Sequence, residues 1–379
     1  MQTATEAKSN RLSEIAFLFF KLGCLSFGGP AAHIAMMEDE VVRKRKWMSE
    51  SHFLDLIGAT NLIPGPNSTE MTMHCGHERA GRKGMVVAGV SFIIPAVIIT
   101  ALFAYLYQTY GALPDVTPFI FGIKPAVIAI IINAAFKLGK KAITSQKLSI
   151  IFIVSIILCV LQLPEVVILF GCGLLSLVWF YISRKKNTIY NFSPIFLFLK
   201  PLYESLNNTS IFLSFLKIGA ILYGSGYVLF AFLDSELVSA GYLSRQALID
   251  AVAVGQITPG PVLSTATFIG WQLNGYMGAI AATLGIFLPS FIFVLLLNPI
   301  IPKLRKSEAL SALLNGVNVA AVALIAYVCF KMGQDSFLDW RSTIIAVLSI
   351  IAVFKFKKLN SAFIVISGSL LGYFLVTLF

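Results

Sequence analysis

The chain has 379 residues, 57% of them hydrophobic and only 12% charged, with a formal net charge of +11 and a mean hydropathy of +0.84. Soluble domains carry roughly a quarter charged residues, so composition argues against a soluble enzyme or a nucleic-acid-binding domain. The basic excess instead belongs on loops, where Lys and Arg mark the cytoplasmic face of a membrane protein.

The polar start, MQTATEAKSNRLSE, lacks the apolar core and small-residue cleavage site of a secretory signal. The first apolar segment carries Lys21 and ends in a glycine-rich break, LGCLSFGGP, with Ser26, Gly28, Gly29 and Pro30. Glycine there either lets another helix approach closely or lets the helix unwind and free its N–H groups. A basic loop, Arg43 to Lys46, follows. Next comes a segment that cannot be one continuous helix, because Pro64 and Pro66 in NLIPGPNSTE lack N–H donors and push the preceding residue out of helical geometry. A helix is expected to end near Leu62 and another to begin near Asn67, with Asn67, Ser68 and Thr69 as capping side chains. Such a break is tolerated in a membrane only where backbone is buried in protein or lines a wet cavity. A helix start there is a ready anion site. Glu70 follows directly, as a capping acid or a buried proton carrier.

The second half repeats the first. Lys21, Gly23 and Gly28 align with Lys217, Gly219 and Gly224; Asp55 and Pro64-Gly65-Pro66 with Asp250 and Pro259-Gly260-Pro261; FKLG at Phe136 with FKMG at Phe330. The offset between the copies drifts by very little along the alignment, which marks a duplication of the transporter kind. The first repeat is placed at residues 1–186, a cytoplasmic linker at 187–207 and the second repeat at 208–379.

The basic residues set the topology. Arg43 to Lys46 and Arg79, Arg82 and Lys83 flank the segment Ser51 to Cys75 on one side, so that segment reads as a re-entrant hairpin folded at Pro-Gly-Pro. The loop at Gly111 to Val116 has no Lys or Arg, whereas Lys137, Lys140, Lys141 and Lys147 follow the next segment. The loop at Gln272 to Gly275, after the second hairpin, has none. The expected fold is an all-α polytopic membrane protein with an inverted internal repeat, each half having five crossings and one re-entrant hairpin. The two hairpins then enter from opposite leaflets, with Lys83 inside, Asn274 outside and the tips together near the bilayer midplane.

The polar residues at the tips are the candidate substrate ligands. They are Ser26, Gly28 and Gly29 at the first break, and Pro64, Gly65, Pro66, Asn67, Ser68 and Thr69 at the first tip. Gln256, Pro259, Gly260, Pro261, Ser264 and Thr265 form the second. Backbone N–H groups at Asn67, Ser68 and Thr69, and from Val262 to Ser264, would bind an anion. Lys21 and Lys217 would neutralise it or reach the membrane surface instead. Glu70 is the proton-coupling candidate. Asp55 and Asp250 are expected to pair with a lysine.

No catalytic motif is present, so the protein is not expected to be an enzyme. Cys24, Cys75, Cys159, Cys172 and Cys329 form no CxxC pair, and His74, Cys75 and His77 fit no zinc spacing. No metal or cofactor is expected.

FGGPAAHI from Phe27, PGPNSTE from Pro64, RAG at Arg79 to Gly81, and GQITPGPVLSTATFIG from Gly255 closely resemble the chromate ion transporter family in its two-domain form. The resemblance covers essentially the whole chain. It implies a multi-pass plasma-membrane protein that exports chromate on an ion gradient and confers chromate resistance, with its site at the FGGP stretch and the two Pro-Gly-Pro tips. Half two reads GSG where half one reads GGP, so the halves need not contribute equally. The partners implied are a small inorganic oxyanion and the lipid bilayer, not nucleic acid, with a homodimer left open. Uptake or exchange of sulfate-like oxyanions on the same fold is the rival reading. A membrane-embedded enzyme or scaffold is a minor one.

Overall fold

The computed structural model describes residues 2–26, 30–184, 207–223, 226–297, 307–336, 339–356 and 359–378. Among them there are helices and turns and no strands. The first repeat runs α1 (Gln2–Leu25), α2 (Pro30–Glu38), a wide π-type turn (Asp39–Lys44), α3 (Glu50–Thr60), α4 (Asn67–Tyr110), α5 (Thr117–Ala142), α6 (Gln146–Val160) and α7 (Glu165–Arg184). The second runs α8 (Asn208–Ile221), a 3₁₀ turn (Gly226–Val228), α9 (Leu229–Leu233), a second π-type turn (Asp234–Val238), α10 (Arg245–Ile257), a 3₁₀ turn (Val262–Ser264), α11 (Thr265–Leu297), α12 (Glu308–Ser336), α13 (Trp340–Lys355) and α14 (Ser361–Leu378). Helices α4, α5, α7, α11, α12 and α14 are long and apolar enough to cross a membrane. The apolar helices α6 and α8 have 15 and 14 residues, and so rise only about 21–23 Å at 1.5 Å per residue.

Helix α4 doubles back on itself. Ala80 and Gly81 leave helical geometry, Gly81 with a φ of +63°. A Cβ added at Gly76 would meet Ala88 Cβ at 2.5 Å, although a straight helix would hold those residues about 18 Å apart. Its register partner behaves alike: α11 turns at Asn274 and Gly275, and the Thr267 and Thr283 hydroxyls across the turn lie 2.8 Å apart. Each of these helices is therefore a short arm descending from a Pro-Gly-Pro tip, then a long arm that crosses.

The inverted repeat follows from what touches the long arm of α4, residues 81–110. At its start, His52 of α3 meets Glu78 at 3.1 Å, so both legs of the first hairpin begin and end there. At its far end, Tyr107 donates to Asp250 of α10 at 2.7 Å, and Trp271 of α11 donates to Gln108 at 2.8 Å. The second hairpin thus has its base at the opposite end. The second tip lies beside the middle of this arm, where a Cβ on Gly260 would be 2.9 Å from Ala96 Cβ, and the first lies at the equivalent point of the α11 long arm, where a Cβ on Gly65 would be 2.5 Å from Ser290 Oγ.

The repeats are also interleaved. Helix α5 packs against α13 and α14 of the other repeat, and α12 against α6 and α7. Glycine lets the backbones come this close: a Cβ on Gly122 would fall 2.0 Å from the Gly368 carbonyl oxygen, and one on Gly316 2.5 Å from that of Cys172.

One expectation fails at the first tip. Pro66 is the residue that precedes α4, and no side chain caps the helix. Asn67 donates instead to Asn61 at 2.8 Å, and Thr69 Oγ1 has no partner. A proline in the capping position has no side-chain oxygen to offer, and Asn67 already lies one residue inside.

Candidate functional site

The site is built from the two tips and the broken ends of α1 and α8. The Gly65 N–H donates to the Leu222 carbonyl at 2.7 Å, and the Gly260 N–H to the Ser26 carbonyl at 2.9 Å. Leu222 and Ser26 occupy the same register in the two repeats, so each tip is pinned to the other repeat's broken helix. Both glycines have positive φ, +139° and +92°, which side-chain-bearing residues rarely adopt. Tyr223 adds a third link, its hydroxyl donating to the Leu62 carbonyl. Of the glycine-rich breaks themselves, Gly28, Gly29, Gly224 and Ser225 lie outside the described residues.

Around these links polar groups are buried without hydrogen-bond partners: Ser26 Oγ, Thr69 Oγ1, both Glu70 carboxyl oxygens, Gln256 Nε2 and Ser290 Oγ. Native interiors rarely leave such groups unpaired. The Asn67 and Ser68 N–H groups at the start of α4 make no hydrogen bond among the described residues, whereas those of Thr69 and Glu70 reach the Pro66 carbonyl. In the second tip the Ser264 N–H is likewise spent on Pro261. The free amides expected at Thr69 and Ser264 are therefore used within the turns, and the open ones lie one or two residues earlier.

The other predicted residues fall into two groups. Pro64 is partly buried, while Pro66, Pro259 and Pro261 are buried at the tips. Ser68, Ser264 and Thr265 are also buried. The Ser264 hydroxyl accepts from Thr100 at 3.2 Å, and the Thr265 hydroxyl donates to the Val262 carbonyl at 2.8 Å. Gln256 accepts from Tyr227 at 3.4 Å, leaving its amide nitrogen free.

Lys21 and Lys217 do not join this group. Lys21 lies 3.8 Å from Glu40, with half of its side chain exposed. Lys217 pairs with Glu236 and is more enclosed, at 20% exposure. Burial alone would raise the Glu40 carboxyl, but Lys44, Arg45 and Lys21 outweigh it and hold Glu40 below the usual carboxylate range. Glu40 and Glu236 share the register offset of the two lysines, a sequence signal that could have identified these pairs. The aspartates diverge. Asp250 is buried, accepts from Tyr107 and Gln246, and interacts electrostatically with Lys124; Asp55 is exposed. Sequence reading missed two contributors. Ser290 reaches the first tip from the far repeat, as Tyr223 of the second glycine-rich break does, and His33 contacts the Ser26 carbonyl at 3.1 Å.

An inverted helical repeat whose two broken hairpins are each pinned to the other repeat beside a crossing helix defines a membrane protein of the secondary-transporter class. A family model described as chromate transporter matches residues 13–177 and 209–373, one stretch in each repeat. A probable chromate transport protein of Synechococcus elongatus is 32% identical over 374 residues, 95% of each chain. A chromate transport protein of Cupriavidus metallidurans is 30% identical over 382 residues, covering 97% of this chain and 94% of that one. A chromate transport protein of Pseudomonas aeruginosa is 27% identical over 376 residues, covering 94% and 90%. No solved structure matches. The chain belongs to the chromate transporter family, as a multi-pass protein of the plasma membrane.

Proposed function

We propose that this protein is a secondary transporter that carries chromate, a tetrahedral oxyanion, out of the cell and so confers chromate resistance. The observation that carries the reading is the reciprocal pinning of the two tips, Gly65 to Leu222 and Gly260 to Ser26. It holds open helix starts and unpartnered hydroxyls together at the repeat interface, where inverted-repeat carriers place substrate. The binding groups are the amides of Asn67 and Ser68 with Ser26, Thr69 and Gln256, and with Ser290 from the long arm of α11. Helix starts favour negative charge, and donors without partners match an anion that accepts on every oxygen. The family and the relatives' names support chromate as cargo. Lys21 and Lys217 are left out of the binding set, because each already faces a carboxylate.

The test is chromate efflux from loaded proteoliposomes under imposed proton, sodium and electrical gradients. Outward chromate flux that depends on the protein and on a gradient is the expected result. No protein-dependent flux under any gradient would end the reading.

A further inference from the structure

We propose that the Glu70 carboxylate is a built-in competitor for the substrate anion: it lies at the helix start of the first tip and must take up a proton before an oxyanion can settle there. This rests on the transport reading above.

The geometry is specific to one tip. Side chains of a helix lean toward its N-terminus, and Glu70, in the first turn of α4, curls back onto Gly65. A Cβ on Gly65 would come within 2.3 Å of Glu70 Oε1 and 2.5 Å of Ser290 Oγ. The space a side chain would fill is thus taken by a carboxyl from one repeat and a hydroxyl from the other. Both groups are fully buried, they lie close enough to interact with each other, and no third group hydrogen-bonds to either. Beside them the Asn67 and Ser68 amides stand open among the described residues. A positive helix start is the natural seat for one negative charge. A carboxylate and a dianion cannot share it without strong repulsion in so dry a place.

Around Glu70 the lysines and arginines of the packed elements face other carboxylates. Tyr223, from the break after α8, interacts with it electrostatically, and His74 lies one turn further along the same face of α4. His33 on α2 turns to Ser26 and Phe92. On α1, Glu14 binds Arg79 and Lys21 faces Glu40. On α3, His52 meets Glu78 and Asp55 is exposed. Asp250 of α10 is held by Tyr107, and the long arm of α11 contributes Ser290. What remains to neutralise Glu70 is the helix start itself or a proton, carried on the carboxyl or on His74.

Thr265 stands at Glu70's register in the second repeat, and its hydroxyl is spent on Val262. Ser290's register counterpart is Ala96. One tip therefore has the competing acid and the other does not. By linkage, whatever the proton does to anion affinity, the anion does to proton affinity, so a bound dianion carries one proton with it. The pair moves a single net negative charge, which an inside-negative membrane potential drives outward. Export would then need no proton gradient of its own.

The test compares chromate exchange across proteoliposome membranes for the wild type and Glu70→Gln, an uncharged side chain of the same shape, over a range of pH. Chromate's own titration affects both proteins alike, so the difference between the curves carries the result. Wild-type exchange should fall by up to about tenfold per pH unit on the alkaline limb, the limit for one competing proton, while Glu70→Gln stays active there. Superimposed curves would overturn this inference alone. No wild-type exchange at any pH would overturn it together with the transport reading. If Glu70→Gln does not fold, proton uptake decides. At alkaline pH, where free chromate is a dianion, adding chromate to the wild-type protein should take up about one proton per anion bound, and none would overturn the proposal.

Discussion

The two hairpin tips share a backbone and differ in what faces it. Each bends at a glycine of positive φ, and each donates that glycine's N–H to the other repeat's broken helix. Yet Gly65 lies against Glu70 and Ser290, while Gly260 lies against the Ala96 methyl group and the Gly23 backbone. Duplication conserved the hydrogen bonds that hold the tips together and released the side chains around them. The shared part is what the fold needs, and the divergent part is where function specialises.

Alanine at each tip glycine breaks the comparison hardest. Gly65→Ala and Gly260→Ala both force a side-chain-bearing residue into left-handed geometry, a strain of roughly 1–3 kcal/mol, and both should abolish chromate flux in proteoliposomes. Gly65→Ala should be the worse in thermal stability, because its Cβ also displaces two buried polar groups. Equal loss in the two variants would mean that the acid side of the first tip contributes nothing beyond the bend.

A smaller contrast lies in the hairpin legs. Asp250→Asn turns an amide donor toward the Gln246 amide and should cost about 1–3 kcal/mol, as unsatisfied buried groups do. Asp55→Asn, at the same register but exposed, should stay within about 0.5 kcal/mol. Melting curves in detergent separate the two, and matching shifts would show that the buried cluster is not structural.

Smallest is the lysine pair. Lys21→Ala removes a half-exposed contact with Glu40 worth about 0–1 kcal/mol. Lys217→Ala leaves the more enclosed Glu236 without this partner, and should cost roughly 1.5–3 kcal/mol. Both variants should keep chromate affinity within about twofold of wild type. A large loss of affinity in either would return that lysine to the binding site.

Much of this was legible in the chain. Pro-Gly-Pro announced the breaks, the steady offset announced the duplication, and loop charges gave the inversion, because proline geometry and charge placement act locally. The helix starts at Asn67 as its sequence suggests, but without the expected side-chain cap, since Pro66 occupies the capping position and has no side-chain oxygen. The partners at the tips were out of reach for another reason. Leu222 and Ser290 have no motif of their own, and they matter only because the repeats fold against each other. The lysines stand out in the sequence as charges within apolar segments, and their carboxylate partners, Glu40 and Glu236, stand at matching register positions.

The interleaving of α5 with α13 and α14 has a bearing on how the protein is made. Ser369 on α14 donates to the Phe119 carbonyl across a sequence separation of 250 residues. At about 5–20 residues per second, α5 leaves the ribosome roughly 12–50 s before that partner exists. Until then its glycine face has only lipid to lie against, so the first repeat must wait in the bilayer, half-clasped, for the second to be translated.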